Sequence, residues 1–248
     1  MMKPQQEPTL QAAFTAASRY LGGGIGTLSE RTLHSTLKFW LQPQVAQHEV
    51  TVGSSVADLF DGETVTEVQT MGLYPLRKKL QTLLTAYPVT VVLPQPHRKW
   101  VCWIDPATGE QSEWRRSPKT GKPWDVLPEL FWIAERWKTP AAHPLTVRVL
   151  LMDMEEYRLQ DGWGRDGKRG SHRADRCPLQ VAEEIWLRGF ADVRALCPPL
   201  PPQFGTPELA RALGMRGRTL WRATRFLEES GVIVRVGKQG RSIVYEKT

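Results

Sequence analysis

The spacing of apolar positions changes period several times along the chain. In "LQAAFTAASRY" small and apolar residues recur every three to four positions, which predicts a helix over 9–21, ended by Gly22-Gly23-Gly24. A second helical stripe, Leu33, Leu37 and Trp40, follows Ser29, a good helix-starting cap; Glu30 and His34 stand four apart on another face. The period then drops to two. "HEVTV" (48–52), "SVADLF" (55–60) and "TVTEVQT" (64–70) read as strands, the last two closed into a hairpin by Asp61-Gly62. "LYPLRKKLQTLLTAY" returns to helical spacing, with Pro75 in a first turn that tolerates it. "VTVVLP" (89–94) is apolar without a break, as a central strand buried on both faces is. Beyond it, "KWVCWID" and "QSEWRR" read as a hairpin around "PATGE", "DVLPELFWIAERW" as a helix, "LTVRVLLMDM" as a strand, 161–176 as a surface loop and 179–195 as a helix.

This string of helix, antiparallel strands, helix and strand predicts an α/β fold, a sheet layered with helices. The Pro-rich "CPPLPPQ" marks a boundary. The expected organisation is an N-terminal tail and helix (1–24), a main domain (25–196), a linker (197–202) and a small C-terminal domain (203–248). The last segment divides into a short helix beginning at Thr206-Pro207, a Gly214-Met215 turn, a second helix from about Arg218 to Ser230, and two strands around Lys238-Gln239-Gly240. That succession looks like a winged helix-turn-helix with its own small core of Leu209, Leu213, Leu220, Ala223, Leu227, Val232 and Ile233.

Charge sharpens this picture. The 248 residues, 41% of them apolar, carry a formal charge of +7. From Gln203 onward nine basic residues face four acidic ones, so this tail holds +5 of the +7. A basic second helix entering the major groove, with a basic wing on the phosphates, suits double-stranded DNA, and Arg216, Arg218, Arg222, Arg225, Arg235, Lys238 and Arg241 are the candidate contacts. Lys168 and Arg169, in a Gly-rich basic stretch, join them as a strand-gripping rim. Three scattered cysteines without metal spacing read as plain thiols of a reducing compartment. With neither a secretory signal nor a bilayer-length apolar run, a cytoplasmic protein without a membrane partner is expected. His48, His97, His143 and His172 show no metal spacing, no Gly-x-Ser-x-Gly occurs, and "LGGGIG" lacks the ending of a phosphate loop. The oligomeric state stays open, a homodimer among the options.

The chemistry-bearing feature is the hairpin. Alternation points Glu67 and Gln69 to one side, and Asp58, nine residues before Glu67 across a tight turn, would meet the Glu67 carboxylate once the strands pair. Two carboxylates brought together inside a fold repel and lose hydration unless something positive sits between them. A hard divalent cation is the economical answer, because Mg²⁺ takes one or two carboxylates, keeps several waters and completes its shell with phosphate.

Glu30 on the preceding helix, Asp58 in "SSVADLF" and Glu67 in "TEVQT", followed by a Lys-bearing helix, resemble the PD-(D/E)XK nuclease superfamily over about residues 29–93. The resemblance implies a mixed-sheet, restriction-endonuclease-like core with flanking helices and a Mg²⁺- or Mn²⁺-dependent endonuclease. In it Asp58, Glu67 and the Val68 carbonyl hold metal, Glu30 or Gln69 orients water, and Gln69 fills the usual lysine position. Lys78 or Lys79 on the next helix would supply a displaced lysine, and His34 a donor beside Glu30. "SPKTGKPWDVLPEL", "MEEYRLQDGWGRDGKRGS" and "RVGKQG" are also similar to a bacterial family, without an assigned activity, that joins this hairpin to a winged helix. The competing expectations are a catalytically silent DNA-binding regulator or repair factor, a protein-interaction adaptor, and a structural hairpin in which Asp58 or Glu67 pairs with Arg77 or Lys78.

Overall fold

The computed structural model describes residues 8–20, 31–139, 141–163, 169–240 and 242–248. Two helices, α1 (Leu10–Tyr20) and α2 (Arg31–Leu41), precede three strands, β1 (His48–Val52), β2 (Ser55–Phe60) and β3 (Val65–Val68). Then come α3 (Leu76–Leu83), β4 (Val89–Ile104), the two-residue β5 (Arg115–Arg116), the short helices α4 (Leu127–Leu130) and α5 (Glu135–Lys138), and the long strands β6 (Leu145–Trp163) and β7 (Arg169–Leu187). After the short α6 (Phe190–Val193), the chain ends with β8 (Gln203–Gly205), α7 (Thr206–Leu213), α8 (Gly217–Glu229), β9 (Ile233–Gln239) and β10 (Ser242–Lys247).

The main sheet is mixed. Its order is β1-β2-β3-β4-β6-β7, with β5 paired to β4. β1, β2 and β3 form an antiparallel meander, β3 runs parallel to β4 through the α3 crossover, β4 runs parallel to β6, and β7 returns antiparallel. The unbroken apolar run of β4 explains its central place. Val91 and Leu93 face the cluster built by α3, α4 and the C-terminal helices, while Val92 faces the one built by α1 and α2 with Leu33, Leu37 and Trp40. The sheet is thus packed between helices on both sides, the α/β layering expected from the sequence.

Several expectations need correction. Residues 179–187 are strand, not helix: β7 pairs with β6 from Trp163↔Arg169 to Val147↔Leu187, and helical turns begin only at Phe190. The segment 161–176, expected as a surface loop, belongs mostly to these two strands, which carry the strand reading of 145–154 on to Trp163. "DVLPELFWIAERW" is not one helix, since the chain there breaks into short turns of helix around Pro123 and Pro128. "QSEWRR" contributes only Arg115–Arg116, opposite Val101 and Trp100.

β4 is bent by a register shift between Pro96 and Lys99. The buried Asp153 holds that bend: it accepts from the Arg98 backbone (3.0 Å) and guanidinium and from Gln180 Nε2 (2.7 Å), and lies 3.0 Å from His97 Nδ1. Beyond the bend, Asp175 on β7 accepts from the Thr32 hydroxyl of α2, and Arg176 Nη2 donates to the Thr70 carbonyl at 2.8 Å. The long strands therefore reach back over the start of α2 and the end of β3, beside the acidic hairpin.

At the C-terminus, α7 starts where Glu208 accepts the Gly205 N–H (3.0 Å) and stops at Gly214, whose φ of +66° suits glycine. β9 and β10 form a hairpin and β8 adds a third strand on β10. The small core expected here is continuous with that of the main sheet: Leu209, Leu213, Ala223, Phe226 and Leu227 belong to the same buried cluster as Val65, Val91 and Val149.

Candidate active site

The hairpin turn is built by its own acid: Asp61 Oδ1 accepts the N–H groups of Glu63 (2.9 Å) and Thr64 (2.7 Å), and Gly62 adopts φ +97°. Above the turn β2 and β3 pair at Phe60↔Val65 and Leu59↔Thr66. One step further the next pair in that register is Asp58 and Glu67, and here the side chains replace the ladder. Val68 N–H donates to Asp58 Oδ2 at 2.8 Å, and Asp58 N–H donates to Glu67 Oε1 at 3.4 Å. Each strand thus offers its carboxylate to the other strand's backbone, which brings the two acids together and keeps the freed amides satisfied.

Two flanking helices supply the remaining partners. From α2, His34 Nε2 lies 3.2 Å from Asp58 Oδ2. From α3, Lys79 Nζ donates to Glu67 Oε2 at 2.5 Å. Lys79 rather than Lys78 is the inward lysine; Lys78 is exposed, and Arg77 turns away to lie 3.8 Å over the Tyr74 ring. The expected structural pairing with Arg77 or Lys78 is therefore replaced by Lys79. Gln69 is half-buried at the end of β3, its N–H donating to the Val92 carbonyl at 2.8 Å. Glu30, Lys168 and Arg241 lie outside the described residues, as does the side chain of Arg169.

The two acids have opposite electrostatics. Burial alone would raise the Asp58 carboxyl, but the His34 contact, the Val68 N–H and the Lys79 charge outweigh it and hold the group below its ordinary value. Burial also pushes Glu67 up, and there the charge of Asp58 adds to it, so that Lys79 and the Asp58 N–H only partly offset the rise. The pair is therefore electrostatically under-compensated toward Glu67. Its surroundings still favour an added positive charge.

Sequence reasoning passed over Glu49. The ladder pairs His48 with Leu59 and Val50 with Ala57, placing Glu49 across from Asp58 with a backbone φ of +52°. Glu49 accepts from the buried Lys38 of α2 at 2.9 Å, which lowers its carboxyl, and it feels the charges of Asp58 and His34. The nine-residue interval 49, 58, 67 was the available signal: it sets one acid on each of three successive strands. Among the described residues no cluster of three or more His, Cys, Asp or Glu has metal-binding geometry, so Glu49 stands beside the pair rather than completing a ligand set.

The expected nucleic-acid contacts fall into two groups. Arg216 and Arg218 are exposed at the start of α8, and Lys238 is exposed in the β9/β10 hairpin. Arg225 (3.3 Å) and Arg235 instead pair with Glu228, and Arg222 lies 5.5 Å over the Trp132 ring of the main domain. Trp221 also rests on Phe131, so one face of α8 is committed to internal packing.

A family model described as "Domain of unknown function (DUF8091)" matches residues 31–188. The chain belongs to the DUF8091 family. The DUF8091 region runs from the first residue of α2 to just past β7, so it contains His34, Asp58, Glu67 and Lys79 and stops before α7 and α8. An "Uncharacterized protein" of Treponema pallidum (strain Nichols) is 31% identical over 229 residues, 90% of this chain and 87% of its own length, and so extends the likeness beyond the DUF8091 region. No solved structure matches the chain.

Proposed function

We propose that the protein is a metal-dependent DNA endonuclease of PD-(D/E)XK type with a C-terminal winged helix-turn-helix. The observation that carries this reading is the reciprocal lock of Asp58 and Glu67 with Lys79 on Glu67: two acids and a lysine, delivered by the expected hairpin and the helix after it. The order α2, β1, β2, β3, α3, β4 also supports it, since the resemblance calls for a helix, an acidic hairpin and a second helix in that succession.

The donor set suits Mg²⁺ or Mn²⁺. Asp58 Oδ1 has no partner among the described residues and the Glu67 carboxyl stays raised despite Lys79, both of which favour an added cation, while the other three carboxylate oxygens accept hydrogen bonds that an ion would share or displace. Asp58, Glu67 and the Val68 carbonyl would hold the ion, which supplies Lewis-acid polarisation of a phosphate and a more acidic water. The chain's own groups do the rest. Lys79 sets a positive charge where negative charge grows on the phosphate during in-line attack, the place left uncharged by Gln69. The Gln69 amide would orient water, while His34, the Val68 N–H and Lys79 hold the Asp58 carboxylate in its ionised, ligand-ready form. The winged helix would grip double-stranded DNA through Arg216, Arg218 and the β9/β10 hairpin.

One observation favours a second reading. Lys79 already pairs with Glu67, and an uncharged Gln69 stands in the usual lysine position, an arrangement that also fits a catalytically silent DNA-binding regulator. Incubation of the full chain with supercoiled, linear and branched DNA in Mg²⁺, Mn²⁺ or EDTA, beside Glu67→Ala, separates the two. Metal-dependent nicking that disappears in the variant supports the endonuclease, and binding without nicking in both supports the silent protein. If neither appears at low salt, the DNA reading fails and an adaptor takes its place.

A further inference from the structure

A cleft of about 470 Å³ separates the bend of β4 from the turn between α7 and α8, with Gln95, Lys99, Lys119, Gly121, Met215 and Arg216 in its walls. We propose that this cleft holds a backbone phosphate of a nucleic-acid strand, clamped between the main domain and the start of α8; the inference rests on the nucleic-acid reading above.

Its charge points that way. Lys99 Nζ lies 3.0 Å from Glu156, but the same buried carboxylate is also paired with Arg158 at 2.6 Å, so two cations share one acid. Lys119 is 77% exposed and only loosely held at 3.6 Å by Asp125, the one acid among the described residues of the lining, which leaves the cations in excess. Arg216 is exposed and pairs with no carboxylate among the described residues. The cations come from three separate segments, β4, the loop after β5 and the turn before α8, and converge on one space. Excess positive charge in a cleft concentrates polyanions there.

The wall is fixed by backbone rather than by long side chains. Ser117 N–H donates to the Lys99 carbonyl (2.7 Å) and Gly121 N–H to the His97 carbonyl (2.7 Å), tying both ends of the Lys119 loop to the bent strand. Gly121 is required at this approach, because a Cβ there would stand 1.8 Å from the Pro96 carbonyl oxygen. A preset loop loses little entropy when it binds.

Among the described residues no aromatic side chain lines the cleft to stack on a base, and the fit is to phosphate and sugar. Its position agrees with the hairpin site. Glu67 sits opposite Val91 on β4, and Gln95 lies four residues further along, about 13 Å at strand rise. That corresponds to about four base steps of a duplex. α3, which delivers Lys79, and the helices α7 and α8 pack on the same buried cluster, so Lys79 and the cleft lie on one side of the sheet, while His34 reaches Asp58 from α2 on the other.

The test is fluorescence anisotropy of a labelled duplex with the full chain in EDTA, across a salt series. Arg216→Ala combined with Lys119→Ala is expected to weaken binding by about tenfold and to lower the slope of log affinity against log salt by about two. Arg211→Ala, an exposed residue on α7, is expected to stay within about twofold of the parent, and matching melting temperatures establish that all three chains are folded. A parent that binds while the double variant matches its affinity and slope overturns the cleft and leaves the nucleic-acid reading in place. A parent that binds no oligonucleotide overturns both. A nucleoside triphosphate that binds in a Lys119- and Arg216-dependent way, with duplex affinity unchanged in the double variant, overturns the strand in favour of a free nucleotide.

Discussion

Lys79 Nζ stands 2.5 Å from Glu67 Oε2, yet the Glu67 carboxyl remains above its ordinary range, because burial and the neighbouring Asp58 charge outweigh the lysine. The lysine is thus tied to the fold through this pair, and under the endonuclease reading to the chemistry as well. Lys79→Met leaves a buried carboxylate without its cation and is expected to cost about 1–3 kcal/mol in urea denaturation. Lys78→Met, at an exposed neighbour, is expected to stay within about 0.5 kcal/mol. Under the endonuclease reading, cleavage is lost with Lys79→Met and kept with Lys78→Met; the reverse pattern would reject Lys79 as the working lysine.

The two acids should respond to pH with opposite signs. Glu67 has a raised folded value, so its contribution is fully present below the unfolded value near 4.5 and is lost as pH rises through the folded one. Glu67→Gln is therefore expected to gain stability relative to the parent as pH rises above the unfolded value near 4.5. Asp58 has a lowered folded value, so its contribution is present above 3.8 and fades as pH falls through the folded one. Asp58→Asn is expected to cost most at neutral pH, with the gap closing in acid. Denaturation midpoints of the three chains at several pH values check both signs, and a Gln variant that falls further behind toward neutral pH would contradict the first.

Gly121 offers a test of backbone packing. Gly121→Ala drives a methyl into the Pro96 carbonyl and is expected to cost at least about 2 kcal/mol. Gly237→Ala, where a Cβ meets nothing within 4 Å, is expected to change stability by less than about 1 kcal/mol. Thermal melting of the two variants compares them directly.

Lys38 is buried, and Glu49, its partner, is exposed on a left-handed backbone. Glu49→Ala leaves the lysine buried without its acid and is expected to cost about 1–3 kcal/mol. Lys38→Met, which replaces the cation by an apolar chain of similar length, is expected to cost less. Equal losses in chemical denaturation would show that the pair, rather than the buried charge, sets the cost.

Much of the site was legible because its signals are local. The Asp61-Gly62 turn, the alternation in "TVTEVQT" and the lysines at the start of α3 fix the hairpin and the helix after it, and Asp58, Glu67 and Lys79 follow from them. What distance in sequence hides was not legible. Val181 and Ile185 stand four apart, a spacing that also suits a helix, and only pairing with the whole of β6 makes 169–187 a strand. Reading 161–176 as a surface loop also concealed the contacts of Asp175 and Arg176, whose partners Thr32 and Thr70 lie more than a hundred residues away. The commitment of Arg222 and Trp221 to Trp132 and Phe131 is likewise a packing outcome with no local pattern.

The most direct test of the central claim is Mn²⁺ binding to the full chain, followed by electron paramagnetic resonance. A bound population that weakens by at least about tenfold in both Asp58→Asn and Glu67→Gln is the expected result. A parent chain that binds no Mn²⁺, or variants that bind it as tightly as the parent, would contradict a shared ion between these two carboxylates.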